Sequence, residues 1–142
     1  MAPPVTGHRS LAGATVLAAA LGALGLWRWA HRVVVTGPSM SPALRPGDRL
    51  LVHRTRRVRR GHLAVVGDPR SPAREVVKRV AGVPGDTLVV DGRTLRADAG
   101  VLVVGDDRRH STDSRHYGPV PRRLVRGRPW YRYAPPDRAG LL

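Results

Sequence analysis

Glycine and proline punctuate this chain so densely that no long helix fits beyond residue 33. The 142 residues include 16 glycines and 13 prolines, with short runs of valine and leucine between them. Short apolar runs bounded by turn formers read as strands. Strands are predicted at 33–35, 49–54, 63–66, 75–80, 87–90, 93–96, 101–104 and 124–133. Asp91-Gly92 between two of them is a hairpin signal. Pro129 lies inside the last strand, and a proline cannot donate to a ladder, so that strand is expected at a sheet edge. The length allows one domain of ordinary size. The expected fold class is mainly β, a coiled antiparallel sheet over residues 33–134, followed by a loose tail over 135–142.

The amino-terminal part differs. Residues 1–10 read as a polar tail. Residues 11–27 carry no charge, a run of 17 against the roughly 20 that cross a bilayer comfortably. Trp27 and Trp29 stand where interfacial aromatics belong, and Arg28 and Arg32 can reach head groups. The reading is a transmembrane anchor with its interfacial flank over residues 11–32. Its rival is a cleaved signal peptide, for which Arg9 and the small residues of the run also speak.

Composition narrows the function. There is no cysteine, which excludes disulfides and thiolate metal sites. A formal net charge of +15 suggests an anionic neighbour. The densest cluster is Arg54, Arg56, Arg57, Arg59 and Arg60, with no aromatic residues interleaved for base stacking. No helix-turn-helix, Gly-rich phosphate loop or internal repeat is present. A solvated loop or lipid contact therefore explains the cluster better than specific nucleic-acid binding.

Two residues carry candidate chemistry. Ser39 follows three β-branched valines and is held between breakers, in Thr36-Gly37-Pro38-Ser39-Met40-Ser41-Pro42. Of the 25 lysine and arginine residues, one is lysine, Lys78. Arginine stays protonated in a protein, whereas a desolvated lysine can take a proton. Serine needs such a base to become a nucleophile. Ser39 and Lys78 are thus a candidate dyad, set against an ordinary turn serine and a stray surface lysine. His62, His110 and His116 are the bases to consider should the lysine not serve. A third polar stretch, 105–118, packs Asp106, Asp107, Ser111, Asp113, Ser114 and Arg115 behind an apolar strand. Ser111 can orient an amine, and Asp113 can pair with Arg115.

Three ordered stretches resemble the bacterial type I signal peptidases, Ser-Lys peptidases of the S26 family, in a short minimal form. The stretch at 36–42 resembles the nucleophile box, Lys78-Arg79-Val80-Ala81-Gly82-Val83-Pro84-Gly85-Asp86 the general-base box, and Gly105-Asp106 with Ser111, Asp113, Ser114, Arg115 and Gly118 the late box. The resemblance implies Ser39 as nucleophile, with its backbone N–H serving the oxyanion. It implies Lys78 as general base, Ser111 as the group that orients the amine, and Asp113 and Arg115 as support. It also implies a single-pass enzyme of the cell membrane, its catalytic domain on the extracytoplasmic side. Its partners would be secreted preproteins and membrane lipid, with no specific nucleic acid, and it would use no cofactor and no metal. Ala43, His62, Asp107 and Gly37 depart from the usual pattern. Short relatives of similar appearance include proteases that mature a single precursor, such as nickel-type superoxide dismutase. From another class, a non-catalytic membrane-tethered basic protein binding nucleic acid or anionic lipid would also account for the charge.

Overall fold

The computed structural model describes the backbone of residues 10–142, and side chains for 13–25 and 31–142. The chain divides into two units, Met1–Ala30 and His31–Leu142. In the first, α1 runs over Ser10–Trp29. Alanine and glycine dilute its leucines, and Val16, Leu17, Leu21 and Leu24 are exposed. Among the described residues no helix is long and apolar enough to cross a membrane. Both ends of the 11–27 run lie outside the residues whose side chains are described, and the expected polar tail falls largely outside the described residues.

The second unit is a mainly antiparallel β domain. Its strands are β1 (Ala30–Val34), β2 (Arg49–His53), β3 (Leu63–Asp68), β4 (Ser71–Gly82), β5 (Thr87–Val90), β6 (Arg93–Arg96), β7 (Gly100–Val104), β8 (Val120–Pro121), β9 (Val125–Ala134) and β10 (Gly140–Leu141). One sheet runs β1-β2-β9-β3-β4-β7-β8, with β10 also paired to β9. β5 and β6 form a separate hairpin, turned at Asp91-Gly92 with both residues at positive φ.

β3 explains where the core sits. All six of its residues are buried. Side chains alternate across a strand, so Leu63 and Val65 enter one cluster and Ala64 and Val66 enter the other. The first cluster also holds Val33, Val35, Met40 and Leu44, which pins the chain on both sides of Ser39. The second holds Val80, Val101, Val103 and Val120.

Two expectations are corrected. β9 is not an edge strand: it pairs with β2, β3 and β10. Pro129 is tolerated there because β3 pairs no further along β9 than Gly127. At Pro129 the remaining partner is Val52 of β2, beside a register shift. Nor is 135–142 loose. A short 3-10 turn over Pro136–Arg138 leads into β10, whose Gly140 and Leu141 pair with Arg132 and Tyr131. Arg132 and Arg138 both reach the buried Asp48 carboxylate, Arg132 at 3.2 Å.

Candidate active site

Ser39 sits in the turn that leaves β1. Ser41 N–H donates to the Pro38 carbonyl and Leu44 N–H to that of Met40, both at 2.8 Å, so the turn is closed by its own backbone. Met40 and Leu44 are fully buried beneath it, while Ser39 is half-buried. A bond from Asp107 N–H to the Ser39 carbonyl, 2.9 Å long, ties the turn to the polar loop. Among the described residues the Ser39 backbone N–H and hydroxyl make no hydrogen bond.

Lys78 lies on β4, directly opposite Ala64 of β3. Residues opposite one another share a face, so the small Ala64 leaves room for the lysine stem among Val76 and Val80. Val77, the next residue back along β4, faces the other way and enters the other cluster. Lys78 is 4% exposed. Its Nζ donates to Ser111 Oγ at 2.9 Å, and Ser111 Oγ donates to Asp113 Oδ2 at 2.6 Å.

Asp113 anchors this line. It is fully buried and also accepts from Gly105 N–H at 2.8 Å, from Arg115 Nε at 2.9 Å and from Arg115 Nη2 at 2.6 Å. Burial alone would raise its carboxyl. The bonds from Arg115, Ser111 and the backbone outweigh burial and hold it down at about 2. Asp113 therefore stays ionised, and its charge pulls the Lys78 amine upward. Burial is the larger influence on Lys78, helped by Arg115 and Arg74, and the net effect lowers it from the ordinary 10.5.

Ser39 and Lys78 line one cleft of about 230 Å³, with Val33 to Met40 on the β1 side and Glu75 to Lys78 on the β4 side. Ser111 and Asp113 stand behind the lysine. Of the three alternative bases, His110 lines this cleft, with Nδ1 2.8 Å from Asp107 Oδ2. His62 and His116 line other cavities.

Several residues that the sequence motifs include without a role support the site. Gly105 has no room for a side chain: a Cβ there would lie 2.6 Å from the Ser39 carbonyl oxygen and 2.5 Å from Ser111 Cβ. Arg79, next to Lys78, grips Asp106 with two bonds of 2.8 and 2.7 Å. Ser114 Oγ accepts from Val103 N–H at 2.9 Å and fastens the loop to β7. The Gly-Asp pair after an apolar strand was the available signal for Gly105 and Asp106. Nothing local marks Arg132 or Arg138 as partners of Asp48.

The family model for signal peptidase, peptidase S26, matches residues 8–100 and 97–134. The chain belongs to that family. Its similar relatives include the mitochondrial ATP-independent inner membrane protease subunit 1a of Arabidopsis thaliana, 40% identical over 122 residues, which cover 76% of this chain and 73% of the relative. Mitochondrial inner membrane protease subunit 2 of Danio rerio is 37% identical over 140 residues, covering 81% and 76%. Subunit 1 of Mus musculus is 32% identical over 121 residues, covering 78% and 73%. These S26 relatives are mitochondrial proteases, whereas the sequence motifs suggested the bacterial type I branch.

Proposed function

We propose that this S26 protein is a membrane-bound serine endopeptidase that removes signal peptides from exported precursors. Ser39 is the nucleophile and Lys78 the general base. The observation that carries the reading is the buried Lys78 amine, held by Ser111 in the cleft that Ser39 lines. A neutral amine donates one N–H to Ser111 and keeps its lone pair for the Ser39 proton. Ser39 Oγ then attacks the scissile carbonyl, and the oxygen that becomes anionic meets the unused Ser39 N–H. The protonated lysine returns its proton to the leaving amine. Water, deprotonated by the same amine, releases the acyl product and restores Ser39. Asp113 and Arg115 hold Ser111 and take no proton.

The exposed leucines of α1 favour a lipid environment for that helix, retained as an anchor. The inner-membrane location in the relatives' names agrees with attachment to a membrane. The test is direct. Purified full chain in non-ionic detergent is incubated with a panel of preproteins and the products are sequenced. Cleavage at the end of the signal segment by wild type, lost in Ser39→Ala and reduced about 10²–10⁴-fold in Lys78→Arg, is the expected result. Cleavage of a single panel member would point to a dedicated maturation protease. Retained activity in Lys78→Arg would remove the dyad and leave His110 as the base within the cleft.

A further inference from the structure

Away from the cleft, the β5–β6 hairpin and the polar loop enclose a second cavity of about 390 Å³. Arg93, Arg108, Arg115 and His116 line it, and Asp91 is the acidic residue among the lining. Three guanidiniums seldom converge without an anion between them, because like charges repel. Two are partly compensated. Arg108 contacts Asp91, and Arg115 gives Nε and Nη2 to Asp113. Asp91 is held below its ordinary range chiefly by the bond from Arg108. The Arg93 side chain is exposed and makes no side-chain hydrogen bond among the described residues, though its charge also acts on Asp91. Arg115 Nη1 and the remaining N–H groups of Arg108 are likewise unassigned. His116 Nδ1 accepts from Asp113 N–H at 3.3 Å, which leaves Nε2 as the protonated nitrogen, on a side chain 56% exposed.

We propose that this cavity binds a phosphate group. The donors belong to four side chains from two separate segments, more than a single carboxylate could satisfy. A tetrahedral phosphate offers oxygens to several forks at once and meets the positive charge left over after Asp91 and Asp113. The group is either free phosphate or the head of an anionic lipid, and the same contacts serve both. Binding ties the hairpin to the loop that carries Asp113, but it requires no peptidase step.

Radiolabelled inorganic phosphate is titrated against the full chain in non-ionic detergent, with chloride at matched ionic strength. Saturable binding that raises the melting temperature is expected, as for any ligand of the folded state. Arg93→Gln should weaken it about tenfold or more, the cost of one charge-assisted contact. Arg93→Lys should recover part of the loss. Ser39→Ala should bind as wild type does, so failure of the peptidase reading would leave this result untouched. Reconstitution into phosphatidylcholine vesicles then separates the sources. Displacement of label by phosphatidic acid, but not by phosphatidylserine at equal surface charge, identifies a lipid head. No displacement identifies free phosphate. Absence of saturable binding, or equal weakening by Arg56→Gln in the distant arginine loop, would overturn the site and leave only diffuse charge attraction.

Discussion

At the scale of single residues, Lys78 sets both the pH dependence and a stability cost. Its amine is lowered by burial, so the folded chain holds fewer protons than the unfolded chain between the lowered value and 10.5. Stability therefore rises with pH across that window, and below it the full cost of the buried ammonium is present. On the proposed mechanism, which uses the neutral amine, cleavage should climb with pH through the same lowered value. Lys78→Met should be inactive, melt higher than wild type near neutral pH, and lose the pH-dependent gain. Thermal melts and rates on one preprotein across a pH series check all three. Asp113 gives a slope of the same sign in a lower pH window, but there folding favours the ionised form instead of penalising it. Its carboxyl, at about 2 against an ordinary 3.8, contributes of order 2 kcal/mol above the ordinary value, lost as pH falls toward 2. Asp113→Asn should cost about 3 kcal/mol by leaving Arg115 without its buried partner, and activity should fall with it. A normal melting temperature with no activity would instead assign Asp113 a chemical role.

At the scale of elements, the site is a meeting of two turns and one strand, and its tightest point is Gly105. Gly105→Ala places a methyl between Ser111 and the Ser39 carbonyl, where neither neighbour has space to give. The polar loop and the nucleophile turn must separate. A displacement near 1 Å at reacting groups can cost about 10²-fold in rate. The expected outcome is a drop of that size in kcat, with KM for a short peptide changed far less. An unchanged kcat would show that Ser111 and Ser39 are not held by this contact. Much of this arrangement is legible in the sequence. Ser39, Lys78, Ser111 and Asp113 announce themselves by breakers, by a lone lysine and by a polar run behind a strand. The strands from β2 to β7 are legible for the same reason, since turn formers bracket each one. What escapes local reading is pairing. Pro129 argues for an edge, yet where β3 parts from β9 is decided by register. Likewise Asp48 and its two arginines stand far apart in the chain, and no pattern joins them before the fold does.

At the scale of the whole molecule, the proposed function assigns holding to the first unit and cutting to the second. Both core clusters lie in residues 33–125, wholly within His31–Leu142, so the second unit needs nothing from α1 to bury its apolar surface. A chain beginning at His31 should therefore unfold in one cooperative transition near the temperature of the full chain. It should also cleave a short soluble peptide at the full chain's rate, because the cleft and the line from Lys78 to Asp113 are intact. A precursor embedded in vesicles is a different substrate. A full chain anchored by α1, as proposed, would share its surface, and confinement there raises the effective concentration of one partner about the other by roughly 10²-fold or more. The shortened chain has its net positive charge but no anchor, so it is left with salt-sensitive attraction to anionic lipid. On vesicles at physiological salt it should cut about 10²-fold more slowly, and the deficit should shrink as salt is lowered on anionic vesicles but persist on neutral ones. Equal rates for the two chains on neutral vesicles would show that α1 does not tether the enzyme. A mature protein whose first residue lies between 25 and 32 would show instead that the helix is a cleaved leader.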